Sequence, residues 1–216
     1  DAMRRFKDTF NIVAGKTLLD FGCGKGDFLR LVKGHCVEVC GLELQRDYFE
    51  QLNEDGIRCV ENLAEIDEAS IEVCTLFHVL EHLPDPIEML LEIKRRIVPG
   101  GLIFIEVPHA NDFLLTNLAN DEFKQFTLWS QHLLLHTRES LRRLLEFVGF
   151  EEIYIEGLQR YPLSNHLNWL VNGKAGGHKS PISQIDSPQL MEAYANSLAK
   201  IDATDHLIAL AKTPSK

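Results

Sequence analysis

Apolar residues fall in short runs along the first half of the chain, separated by segments whose apolar positions recur at helical spacing. Leu18-Leu19-Asp20-Phe21 stops at a glycine cluster, the pattern of a buried strand entering a tight turn. Asp27 to Lys33 then reads as a helix with Phe28, Leu31 and Val32 facing inward. Val37 to Leu44, β-branched and apolar, predicts a second strand. Arg46 to Asp55 reads as a helix, with Gly56 just past its end where left-handed backbone is wanted. Ile57 to Val60 and Ile71 to Phe77 predict two more strands. Pro84 and Pro86 open the next helix, where a missing N–H costs little. Ile87, Leu90, Leu91 and Ile97 give it an apolar face, and Val98-Pro99-Gly100-Gly101 stops it. Leu102 to Val107 is a fifth strand ended by Pro108. Strand and helix have then alternated about five times, which predicts a doubly wound α/β fold, a parallel sheet with helices on both faces.

The second half is less regular. Asn111 to His136 mixes helical and irregular patterns. Thr137 suits the N-cap of a helix carrying Leu141, Leu144, Leu145 and Val148, and Gly149 closes it. Phe150 to Gly157 predicts a sixth strand, and Gln159 to Ser187 reads as loop-rich. Pro188 to Lys200 predicts a helix and His206 to Lys212 the last strand.

The strongest chemical signal is Asp20-Phe21-Gly22-Cys23-Gly24-Lys25-Gly26. Glycines at alternate positions let the backbone turn tightly and approach a ligand, and the following helix offers free N–H groups. Glu43 ends the second strand, where a carboxylate can accept hydrogen bonds from both hydroxyls of a ribose. The dinucleotide fingerprint wants a third glycine where this chain has Asp27, an anion facing a pyrophosphate. That disfavours an NAD-dependent oxidoreductase and suits a cationic ligand.

Leu18 to Gly26 resembles motif I of the class I S-adenosylmethionine-dependent methyltransferases, an acidic residue followed by GxGxG. Glu43, Phe77-His78-Val79-Leu80-Glu81-His82-Leu83, Val98-Pro99-Gly100-Gly101 and Gly149-Phe150 resemble that family's later landmarks, in order, from about residue 16 to 158. The resemblance implies a Rossmann-like seven-stranded sheet with the last strand antiparallel. It also implies S-adenosylmethionine as cofactor and S-adenosylhomocysteine as product. Asp20, Gly22, Cys23 and Gly24 would then border the methionine part. Glu43 would hold the ribose and Leu44, Asn62 and Leu63 the adenine, with Asn62 or Glu61 serving where the family often has Asp, and Phe77 and His78 would lie beneath the sulfonium.

Methyl transfer needs an aligned nucleophile and, for some acceptors, a base. His132 is the first choice, in a Trp129-x-x-His132 pattern similar to one that lines the substrate pocket of small-molecule relatives, with His82 and His109 next. His136, Arg160, Tyr161 and His166 are candidates for substrate contact, the last three in a substrate-side insertion at about 159–203 within one domain spanning 1–216. A contact between two copies, a homodimer, is the other use of that insertion.

Composition narrows the partners. The 216 residues carry 22 basic and 32 acidic side chains, a net charge of -10, which argues against a nucleic-acid partner. Five cysteines in apolar surroundings and without CxxC spacing read as buried thiols of a reducing compartment, so a cytoplasmic enzyme without a metal site is expected. No run reaches the ~20 apolar residues of a membrane span, and Asp1 to Lys7 lacks a signal-peptide core. The expected activity is methyl transfer to a small molecule such as a sugar, quinone or secondary metabolite. The rivals are a methyltransferase of protein or RNA and a non-catalytic nucleoside-binding domain of the same fold.

Overall fold

The computed structural model describes residues 1–215. Seven strands form one sheet: β1 (Thr17–Phe21), β2 (Glu38–Leu42), β3 (Arg58–Val60), β4 (Ile71–Phe77), β5 (Ile97–Pro108), β6 (Glu151–Leu158) and β7 (His206–Lys212). Their order is β3-β2-β1-β4-β5-β7-β6. The first five are parallel, and β7 runs antiparallel to both its neighbours. The order reverses between β1 and β4, and the carboxyl ends on either side of such a switch point form a ligand crevice.

Eight α-helices join them: α1 (Ala2–Val13), α2 (Asp27–Val32), α3 (Arg46–Glu54), α4 (Pro86–Arg96), α5 (Asp121–Thr127), α6 (Arg138–Val148), α7 (Leu163–Asn172) and α8 (Pro188–Lys200). The central strands are buried on both faces. On one, Leu90 and Ile93 of α4 and Leu141, Leu145 and Val148 of α6 join Leu19, Leu76 and Ile105. On the other, Val13 of α1, Phe28 and Leu29 of α2 and Leu52 of α3 pack on Leu18, Val73 and Phe104. Among the described residues no helix is long and apolar enough to cross a membrane.

Several elements differ from the sequence reading. α1 went unrecognised among charged residues, yet it buries Val13 and Thr9. Ile97 does not belong to the apolar face of α4; it starts β5, pairs with Ile71, and is followed by a register shift. Val37 is exposed, and β2 ends at Leu42, leaving Glu43 and Leu44 in the turn beyond. The stretch read as loop-rich contains α7, a helix whose buried face is mostly polar: Ser164, Asn165, His166 and Asn168 with Trp169.

Candidate active site

The turn from β1 into α2 uses left-handed backbone at Gly22 (φ 75), Gly24 (φ 54) and Gly26 (φ 74). Such values are strained for any side chain with a Cβ. A Cβ at Gly22 would also stand 2.5 Å from Val79 Cγ2, so this glycine lets the loop after β4 close against the turn. Glu43 is locked by the same turn: Oε2 accepts the Gly24 N–H at 2.8 Å and Oε1 the Gln45 N–H at 2.7 Å. Each carboxylate oxygen keeps a further lone pair.

Above these strand ends lies a cavity of about 720 Å³, within the range of small-molecule sites. Gly22, Glu43, Leu44, Asn62 and Leu63 all line it, as does His82. Asn62 caps a 3-10 turn (Leu63–Glu65) through Oδ1, which accepts from Ala64 N–H at 2.9 Å. Its Nδ2 has no protein partner among the described residues.

Asp20, Cys23 and Gly24 do not line that cavity. Asp20 is buried and accepts the Thr75 hydroxyl at 2.7 Å. Burial pushes its carboxyl up to about 7, against the pull of Thr75 and Arg5. Cys23 is half-buried, close to Gly41 of β2. Phe77 is core, with its ring 5.0 Å from Phe28 and 5.8 Å from Phe104. The Arg5 guanidinium covers the Phe77 ring at 4.4 Å. His78 turns away from the first cavity into a second one.

That second cavity, about 220 Å³, gathers His78, His109, His132, Arg160, Tyr161 and His166. His136 is absent from its wall; it is buried, with Nδ1 3.3 Å from Ser140 Oγ at the start of α6. The apolar part of the wall comes from Leu114, Phe123, Phe126 and Trp169. His109 donates Nδ1–H to the Thr204 carbonyl at 3.1 Å, and burial lowers its pKa, so Nε2 is an unprotonated acceptor. His132 donates Nδ1–H to the Thr127 carbonyl at 2.7 Å, so in the neutral ring Nε2 is the acceptor. The His82 and His132 rings stand 5.0 Å apart, one on each cavity.

A charge network centred on a buried carboxylate borders the second cavity through His78, Arg160 and His206, and pattern reading missed most of it. Glu106, fully buried on β5, accepts from Arg4 Nη2 at 2.8 Å on both oxygens and from Arg5 at 3.2 Å. Burial favours the neutral acid, but His78, Arg5 and Arg4 outweigh it and hold the carboxyl well below the usual range. His78 lies 3.2 Å from both Glu81 and Glu106 and 2.8 Å from Arg160. The arginine contact suits a neutral ring and burial opposes protonation, yet the two carboxylates prevail and its pKa is raised. Arg160 also donates to His206 Nε2 at 3.0 Å and to Asp1 at 2.7 Å, so it is engaged rather than free for an anionic substrate. A glutamate inside the apolar run Leu102 to Val107 was the one sequence signal that pointed to this network.

Comparison with known proteins agrees with this geometry. A family profile described as a methyltransferase domain matches residues 2–155. A ubiquinone biosynthesis O-methyltransferase of Idiomarina loihiensis is 28% identical over 165 residues, 69% of this chain and 67% of that protein. The protein of that name from Thiobacillus denitrificans is 30% identical over 117 residues, 50% of each chain, so this chain spans about half to two thirds of these relatives. The crystal structure of a SAM-dependent methyltransferase from Archaeoglobus fulgidus superposes with a TM-score of 0.65 at 21% identity, over 97% of this chain and 92% of that one. The glycine turn, the carboxylate after β2 and the seven-stranded order thus coincide with the profile match, and the chain belongs to the class I S-adenosylmethionine-dependent methyltransferases.

Proposed function

We propose that the chain transfers a methyl group from S-adenosylmethionine to a hydroxyl oxygen of a small hydroxylated aromatic acceptor, a phenol or quinol. The observation that carries this reading is the pair of abutting cavities. One is built on the glycine turn and Glu43; the other is small, aromatic-walled and edged by histidines. The names of the relatives from Idiomarina loihiensis and Thiobacillus denitrificans support an oxygen acceptor on a quinone-type ring.

The residues of the first cavity fit the cofactor. The remaining lone pairs of Glu43 match a ribose diol, Leu44 and Leu63 flank an adenine, and Asn62 Nδ2 offers a donor to its ring. A buried Asp20 with its carboxyl raised to about 7 suits a site completed by a cationic ammonium group. When bound, S-adenosylmethionine supplies a methyl carbon on a sulfonium. The chain's own task is to seat the acceptor among Phe123, Phe126 and Trp169 and to take its proton. His132, on the wall of the second cavity with Nδ1–H held by Thr127, is the base for that purpose.

Five free cysteine thiols support the cytoplasm as the enzyme's compartment. Net charge of -10 counts against an RNA substrate. Calorimetric titration with S-adenosylmethionine, S-adenosylhomocysteine and NAD tests the cofactor, and a screen of mono- and dihydroxylated aromatics tests the acceptor. Micromolar binding of both sulfur nucleosides without NAD is expected, with turnover on a phenolic hydroxyl. Tight NAD binding, or binding of none of the three, overturns the reading.

A further inference from the structure

Glu81, His82 and His132 each bring one ligand-type atom within 4.8 Å of the others. They come from two segments that backbone contacts clamp together. Leu133 N–H donates to the Glu81 carbonyl at 2.8 Å, and His82 Nδ1–H donates to the Gln131 carbonyl at 2.7 Å. His132 Nδ1–H is likewise spent on Thr127, so the neutral form of each imidazole carries its lone pair on Nε2. His82 Nε2 stands 3.9 Å from Glu81 Oε1. Glu81 is fully buried, and among the described residues its Oε2 has no hydrogen-bond partner. An unpartnered carboxylate oxygen in the interior is costly unless something binds it.

We propose that Glu81, His82 and His132 form a binding site for one divalent transition-metal ion of the zinc class. Two imidazoles and one carboxylate with an open position are the donor set of catalytic zinc sites, whereas calcium and magnesium want oxygen throughout. Zinc ligands lie about 2.0–2.2 Å from the ion, so the three atoms need to close by about an ångström, a side-chain rotation. Hydrogen bonds from Nδ1 to a backbone carbonyl are the outer contacts that orient metal-binding imidazoles. Missing CxxC spacing does not bear on such a site, because its ligands meet only through the fold.

The location gives the ion a task. His82 lines the first cavity and His132 the second, so the ion sits where they abut. On the methyl-transfer reading above, on which this step rests, its open position holds the acceptor hydroxyl and lowers the pKa of that group. With His132 engaged by the ion, the acidified hydroxyl gives its proton to solvent. The acceptor oxygen then bonds to the methyl carbon as the carbon–sulfur bond breaks, and the sulfonium leaves as a neutral thioether.

The test is made on the full chain, stripped with EDTA and titrated with cobalt(II) and zinc(II) without cofactor or acceptor. Saturable binding of one ion per chain is expected, with the visible absorption of few-coordinate cobalt. Glu81→Gln, His82→Ala and His132→Ala should each weaken it by at least about tenfold, while His35→Gln, at an exposed histidine, should not. Circular dichroism checks folding, and His82→Gln and His132→Gln are read instead if a first variant unfolds. Absence of saturable binding up to millimolar metal in the folded protein overturns the proposal, as does binding that all three substitutions leave unchanged. Because neither nucleoside nor acceptor is present, this failure is distinct from failure of the cofactor titration.

Discussion

Replacing Glu43 with alanine isolates the group on which the cofactor reading depends. The carboxylate is 8% exposed, and its two oxygens are held by the backbone of Gly24 and Gln45 at 2.8 and 2.7 Å. It is therefore oriented before any ligand arrives, and a ribose would meet it without reorganisation. Two hydrogen bonds to a charged acceptor contribute about 1.5–3 kcal/mol each. Water entering the vacated space restores part of this, leaving a net loss of about 2–4 kcal/mol. That is about a 30- to 900-fold rise in the dissociation constant. The assay is calorimetry with S-adenosylhomocysteine, which cannot turn over, beside the same titration with its analogue lacking both ribose hydroxyls. Wild-type protein should lose most of its affinity for the analogue, whereas Glu43→Ala should bind both ligands about equally. A folded variant whose affinity for S-adenosylhomocysteine stays within about threefold of wild type, below the effect of one such bond, would refute the placement of the ribose.

Gly26→Ala combines left-handed backbone (φ 74) with a Cβ driven against Leu52, a fully buried side chain, and should cost about 2–4 kcal/mol in urea unfolding. Gly24→Ala, whose Cβ meets open space, should cost only the backbone part, about 1–2 kcal/mol. Arg5→Ala removes a guanidinium from the Phe77 ring and from Glu106, and an unfolding midpoint lowered by about 1–3 kcal/mol equivalent is expected. Burial lowers the pKa of His109, His136 and His166, so the native state binds fewer protons than the unfolded chain below about 6.5. Their contribution is full above that pH and is lost as the solution is acidified. Asp20, raised to about 7, acts in the opposite sense between about 4 and 7. Hence the comparison that reads a histidine is wild type against His136→Gln: acidification from pH 7.5 to 5 should shift relative stability toward the variant, and parallel curves would contradict the assignment.

What pattern reading reached, and what it missed, follows from which interactions are local. The alternation of strands and helices, the glycine turn and the Thr137 cap are short-range features, and each names its own backbone geometry. α7 was invisible because hydrophobic periodicity assumes that the buried face is apolar. Here Ser164 bonds Asp186, Asn165 accepts from Gly176 N–H, and Asn168 donates to the Lys174 carbonyl, so polar pairing does what leucines do elsewhere. α1 did carry a signal, with Phe6, Phe10 and Val13 spaced along one face, but charged neighbours masked it. Ile97 suits a helix face or a strand start equally, and only its pairing with Ile71 decides. In the site, Glu43, Leu44, Asn62 and Leu63 follow strand ends and so land on one crevice. His136 sits four residues from His132 on the same stretch, yet chain direction alone does not tell which of them faces the cavity.

Glu106 shows why the remaining half of the site is beyond any local pattern. Its neighbours in sequence are the apolar residues of β5, and its partners are 102 and 101 residues away in Arg4 and Arg5 and 28 away in His78. A lone carboxylate in that strand would be too costly to retain, so the cations had to come from other segments. The consequence is a mechanical one. The helix that brings Arg4 and Arg5 also lays Arg5 over Phe77, beside Asp20, while His78 passes the same anchor on to Arg160 and thereby to the segment after β6 that walls the second cavity. Through one buried anion, the segment beside the expected methionine site and the segment around the expected acceptor site are tied to a common point. Removing that anion with Glu106→Leu would therefore leave two half-buried arginines and a half-buried histidine without their shared counter-charge, and disturbance should reach both cavities rather than the nearer one.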